Sequence, residues 1–99
     1  MSTIITWTKE AEISFNENIE YLIKSWDNFT INKFLDRVDA VIEIIRENPR
    51  AYPLHKKENI HKCVINKHLS LYYRIVDKHR IDLLTFWNSH QNLDRLKIM

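Results

Sequence analysis

Apolar residues recur by threes and fours along the first half of this chain and by twos along much of the second, so helices should give way to strands near the middle. Ahead of the first helical stretch, Thr3-Ile4-Ile5-Thr6-Trp7 is β-branched and aromatic, which predicts a short strand. Thr8 is placed to cap a helix, with Glu10 and Glu12 complementing the positive end of its dipole. From Ala11 onward Phe15, Ile19, Leu22, Ile23 and Trp26 fall on one helical face, opposite Glu12, Asn16, Glu20 and Lys24. The pattern pauses over residues 25–28 and resumes as Ile31, Phe34, Leu35, Val38, Val41, Ile42 and Ile45. It stops at Asn48-Pro49, because proline cannot continue a helix and pushes its predecessor out of helical geometry. Two helices joined so closely are expected to form an antiparallel hairpin.

After Pro53, the polar stretch His55-Lys56-Lys57-Glu58-Asn59 reads as a loop. Three strands are expected beyond it, at 60–65, 69–76 and 81–87, joined by the short links 66–68 and 77–80 into an antiparallel meander. The chain has no glycine, so Asn66 and Asp77 are the residues expected to accept a positive φ in those turns. In the middle strand, Leu69, Leu71, Tyr73 and Ile75 share the face expected to meet the helices. Ser70, Tyr72 and Arg74 then lie on an open face, where an aromatic beside cations can contact a partner or stack on a base. The expected architecture is α+β, in the order β-α-α-β-β-β, with the helical hairpin on one face of a small, mainly antiparallel sheet and a short C-terminal tail.

With 99 residues, 44% of them hydrophobic and 28% charged, the chain should form one globular domain spanning 1–99. Its apolar runs fall far short of the ~20 residues needed to cross a bilayer, and the N-terminus lacks a basic region followed by an apolar signal segment. A cytoplasmic location without membrane contact is the expectation. A single cysteine, Cys63, excludes an internal disulfide and a thiolate cluster for zinc, and the lack of glycine removes phosphate-cradling loops. No metal and no cofactor are expected. Charge is unevenly spread: residues 1–50 hold six Lys/Arg against nine Asp/Glu (net −3), and residues 51–99 hold nine against four (net +5). All five histidines also fall in the second half, which suggests that this half meets something anionic.

Order and motifs together resemble the RelE/ParE superfamily of toxins. The resemblance is carried by Ile42 to Pro49 with its Asn-Pro stop, by Ile60 to Lys67, by Tyr72-Tyr73-Arg74-Ile75, and by Leu83-Leu84-Thr85-Phe86-Trp87-Asn88. It implies a toxin held inactive by a co-expressed antitoxin that wraps it. RelE-like members act in the ribosomal A site and cleave mRNA, whereas ParE-like members inhibit DNA gyrase without catalysis. A degenerate module that only binds its partner is a further alternative.

RNA cleavage through the 2′-hydroxyl needs two proton-transfer groups and cations to steady the phosphorane. Histidine suits the proton transfers, its ordinary pKa lying near 6.5. The candidates are His61, where the family often has a basic residue, and His90, where many relatives have arginine. Lys62, Lys67, Arg74 and Arg95 are the candidate cations, and Tyr72 the candidate stacking surface. The chain departs from the nuclease pattern in having Ser70 where a cation is usual and no tyrosine in the tail Leu93–Met99. Cys63 falls two residues from His61, hence on the same strand face, so a nucleophilic pair is conceivable, although a lone strand cysteine more often packs as a small hydrophobe.

Overall fold

The computed structural model describes residues 3–88. They form a strand β1 (Ile4–Trp7), helices α1 (Lys9–Ile23) and α2 (Asn28–Glu47), and strands β2 (Leu54–Lys56), β3 (Ile60–Asn66), β4 (Leu69–Asp77) and β5 (Arg80–Asn88). The five strands make one sheet in the order β1-β5-β4-β3-β2. β1 runs parallel to β5, and the other pairings are antiparallel.

Each helix starts where a side chain can take up an otherwise unpartnered backbone N–H. Thr8 Oγ1 accepts from the Ala11 amide at 3.1 Å and donates to the Leu83 carbonyl at 2.7 Å, fixing the start of α1 to the sheet. Asp27 Oδ1 accepts from the Thr30 amide at 2.8 Å, and hydrogen bonds from the Thr30 side chain and then its amide hold the Asp27 carboxyl below the usual carboxylate range. α2 buries Phe34, Val38, Val41, Ile42 and Ile45, the stripe its periodicity predicts, and ends before Pro49. This stripe packs on the sheet face formed by Cys63, Ile65, Leu69, Leu71, Tyr73, Ile81, Leu83 and Phe86.

Three expectations need correction. His55 and Lys56, expected in a loop, form with Leu54 a short strand that adds to the expected α+β layout; three residues are too few to show an alternation. Asn66 and Asp77 do not take a positive φ, and among the described residues only Asn59 does (62°). Instead their side chains make the turns: Asn66 Oδ1 accepts from the His68 and Leu69 amides, and Asp77 Oδ1 from the His79 amide. The third concerns the outer sheet face, which is described with the site.

The register of β4 against β5 shifts between Tyr72 and Tyr73, which oppose Thr85 and Leu83, so Leu84 is the extra residue of a bulge. The bulge resets the alternation: Ile81 and Leu83 face the helices before it, and Phe86 does so after it. Phe86 thereby joins Trp7 and Phe15 in an aromatic cluster with ring centroids 5.1–5.4 Å apart. β1 pairs with β5 only from Arg80 to Leu83. Past that point α1 supplies side chains to the strand edge: buried Ser14 Oγ accepts from the Phe86 amide at 2.9 Å and donates to the Ala11 carbonyl at 3.2 Å. Ser14→Ala leaves a buried amide without an acceptor and should cost about 1–3 kcal/mol, measured by urea denaturation. Unchanged stability would mean that Ser14 does not hold this edge.

Candidate functional site

The two faces of β3 and β4 separate the candidate residues, because side chains two apart share a face and neighbours do not. His61 pairs with Tyr73 and Cys63 with Leu71, on the face turned toward the helices. Lys62 pairs with Tyr72, and Ile60 with Arg74, on the outer face.

His61 is 3% exposed and its ring stacks on Tyr73 at 5.3 Å. Its Nδ1 lies 2.8 Å from the Tyr52 carbonyl oxygen. A carbonyl only accepts, so Nδ1 carries a proton, and Nε2 is buried with no hydrogen-bond partner among the described residues. The Tyr73 hydroxyl donates to the Pro49 carbonyl at 2.7 Å. Together these two rings clamp the segment between α2 and β2 onto the sheet. Burial raises the pKa of Tyr52 and of Tyr73, which favours their neutral hydroxyls. Burial also pushes the Cys63 thiol up, against a smaller opposing effect of its hydrogen bond with Tyr52, so Cys63 stays a protonated, buried thiol. It has no nucleophilic character for a Cys/His pair to use.

The outer face holds Lys62 and Arg74, both half-buried, on either side of Tyr72 along the paired strands. Tyr72 is not the exposed aromatic expected from alternation, being 2% exposed and packed with Ile60, Trp87 and Leu84. Two features missing from a simple alternation bury it. The bulge at Leu84 brings Thr85 and Trp87 to this face, and β2 sets His55 edge-on to the Tyr72 ring at 4.9 Å. The Lys62 ammonium sits 6.0 Å from that ring's centroid. Burial also raises the Tyr72 pKa, so its hydroxyl is neutral. Arg74 Nε is a buried donor without a hydrogen-bond partner among the described residues. Along β5, Arg80 makes two hydrogen bonds to Asp82, at 2.9 and 3.0 Å. That pairing raises the Arg80 pKa and leaves its charge largely answered.

The structure therefore brings together Lys62, Tyr72 and Arg74, and sends His61 to the opposite face. Lys67 sits in the β3–β4 turn and lines a different groove, against α1 and Trp26. His90 and Arg95 lie outside the described residues. Among the described residues no group of three His, Cys, Asp or Glu side chains is placed to hold a metal ion, and no helix is long and apolar enough to cross a membrane. Sequence reasoning missed Tyr52, whose carbonyl holds the His61 ring; nothing in the spacing of the two residues announces the contact.

No protein-family model matches the chain, and no curated protein does. Solved structures do. A chromosomal ParDE toxin–antitoxin system from P. aeruginosa aligns with a TM-score of 0.70 at 11% identity, covering 87% of this chain and 95% of that one. A YoeB/ParE toxin from Agrobacterium tumefaciens aligns at 0.61 and 12% identity, covering 85% and 95%. The heterotetrameric YoeB-YefM toxin–antitoxin complex from Staphylococcus aureus aligns at 0.58 and 16%, covering 86% and 94%. The fold is that of the RelE/ParE toxins. Nearly the whole length of the chain takes part in the shared fold, from β1 to the end of β5. At these identities the likeness speaks for architecture, and the chemistry of this chain rests on its own residues.

Proposed function

We propose that this chain is the toxin of a type II toxin–antitoxin pair, acting in the cytoplasm and held inactive by a cognate antitoxin. The observation that carries this reading is the alignment over 87% of the chain with a toxin–antitoxin system at a TM-score of 0.70. Its contact with the target is the outer face of β3 and β4. There the Lys62 ammonium and the unpartnered Arg74 donor favour an anionic ligand, as the net +5 of the second half suggests.

Two targets follow from two observations. Cleavage of mRNA on the ribosome draws on His90 for proton transfer and on Arg95, Lys62 and Arg74 for charge. Inhibition of DNA gyrase without catalysis is favoured by the burial of His61, which removes one of the two proposed acid–base groups from contact with a substrate. Induced expression, followed by mapping of mRNA 5′ and 3′ ends and of plasmid topology, distinguishes them. New mRNA ends with normal supercoiling support the ribosomal target, and relaxed plasmid with intact messages supports gyrase. Growth unaffected by expression alone would reduce the chain to a binding module.

The histidines separate further. His61→Ala should keep growth arrest while lowering stability by about 1–3 kcal/mol, since it deletes a buried hydrogen bond and a stacked ring. His90→Ala should abolish arrest only under the nuclease reading. Loss of arrest in a folded His61→Ala chain would put His61 back in the chemistry.

A further inference from the structure

Bases are read by rings that stack on them and by acceptors that meet their amino groups, whereas phosphates are held by cations and other donors. The outer face of β3 and β4 is poor in the first set. Its two large rings, Tyr72 and Trp87, are buried against Ile60 and Leu84, so neither is open to a base. His55 is exposed at the rim, edge-on to Tyr72, and one ring makes no row of stacking platforms along a strand. The carboxylate on this face, Asp82 opposite Arg74, has both oxygens engaged by Arg80.

Donors are placed differently. Lys62 stands opposite Tyr72, and Arg74 lies two residues farther along β4, about 7 Å in the strand direction. Adjacent phosphates of an extended strand can span that interval. Neither cation has an ion pair among the described residues, and Arg74 Nε is a buried donor without a hydrogen-bond partner there. Phosphodiester oxygens are acceptors only, the complement of such a surface. A peptide instead brings a backbone donor with every residue, and the carboxylate of this face is already engaged.

We infer that the outer face grips a single nucleic-acid strand by its phosphodiester backbone and reads neither base nor sugar, so that ribo- and deoxyribo-strands of any sequence bind alike. The inference rests on the proposed outer-face contact and narrows it. These residues supply affinity without sequence choice, and any selectivity for a message or a site comes from the assembly that presents the strand.

The test measures fluorescence anisotropy of labelled hexanucleotides titrated with the full-length chain at several low salt concentrations. Five are used: oligo(A), oligo(U) and oligo(C) as RNA, oligo(dT), and a hexamer of abasic deoxyribose phosphates. A stacked base is worth about fivefold or more in affinity, so the five should agree within that factor. Lys62→Gln and Arg74→Gln should each lower the slope of log affinity against log salt by about 0.7, the loss of one phosphate contact on a single strand. Lys62→Gln alone keeps this arm decisive if Arg74→Gln fails to fold. Lys67→Gln, in the β3–β4 turn and lining another groove, should leave the slope unchanged. A spread wider than fivefold, the abasic hexamer included, overturns the inference, as does absence of binding at millimolar chain. Displacement by hexaglutamate as effective as by oligo(U) also overturns it, in favour of an acidic protein surface. Growth arrest is scored separately: arrest without strand binding sinks this inference alone, and uniform strand binding without arrest sinks the toxin reading alone.

Discussion

Reversing both cations of the outer face, Lys62→Glu with Arg74→Glu, is expected to abolish growth arrest in cells that express the chain alone. Both side chains lie beside Tyr72, and the Arg74 Nε donor has no partner among the described residues, so each is available to an anionic target. Replacing two cations by two anions at such a surface removes two favourable charge contacts and adds two repulsive ones. A loss of at least about 100-fold in affinity follows from the usual strength of phosphate contacts. Because Arg74 is half-buried, Lys62→Gln with Arg74→Gln serves as the milder companion, with partial loss expected and circular dichroism to confirm the fold. Full arrest by a folded double-Glu chain would show that the target binds elsewhere. The same substitutions at Lys67 and Lys78, which the structure sets apart from this face, should leave arrest intact.

The largest effect on stability is expected at Phe86. Phe86→Ala should lower the unfolding free energy by about 3–5 kcal/mol, a large part of the ~5–15 kcal/mol typical of such domains. Phe86 is buried where β5 resumes its alternation after the bulge, and its ring meets both Trp7 of β1 and Phe15 of α1. Truncation therefore opens a cavity at the junction of three elements, and rigid neighbours on each side limit its collapse. Phe29→Ala is the control: that ring is 71% exposed, with only the Lys33 ammonium over it at 5.6 Å, and its loss should stay within about 0.5 kcal/mol. Chemical denaturation of the two variants decides the matter, and equal costs would contradict the packing described for β5.

How much of this was legible beforehand depended on whether a residue's role is local. Thr8 and Pro49 act within a few residues of themselves, so the start of α1 and the end of α2 were readable from chain chemistry alone. The helix-facing stripe of β4 was readable too, because Leu69, Leu71, Tyr73 and Ile75 follow an unbroken period of two. The fate of Tyr72 was not, since it depends on a bulge one strand away and on His55 in a three-residue strand with no pattern to detect. The burial of His61 was hidden for a related reason. Its face follows from parity with Cys63, but its role follows from the Tyr52 carbonyl, a backbone atom whose position no side-chain pattern records. Lys62 and Arg74 were recovered together because β3 and β4 are joined by a short turn whose register follows from Asn66. The whole-chain resemblance found the architecture, while the assignment of individual residues to one sheet face or the other needed the register.

The central claim is that the chain arrests growth and that a cognate partner relieves the arrest. The most direct measurement is the viable count after induction of the chain alone and after induction together with the protein encoded by the adjoining reading frame. The account predicts a steep fall in colony-forming cells in the first case and recovery in the second. Unchanged viability with the folded chain abundant in the soluble fraction would contradict it.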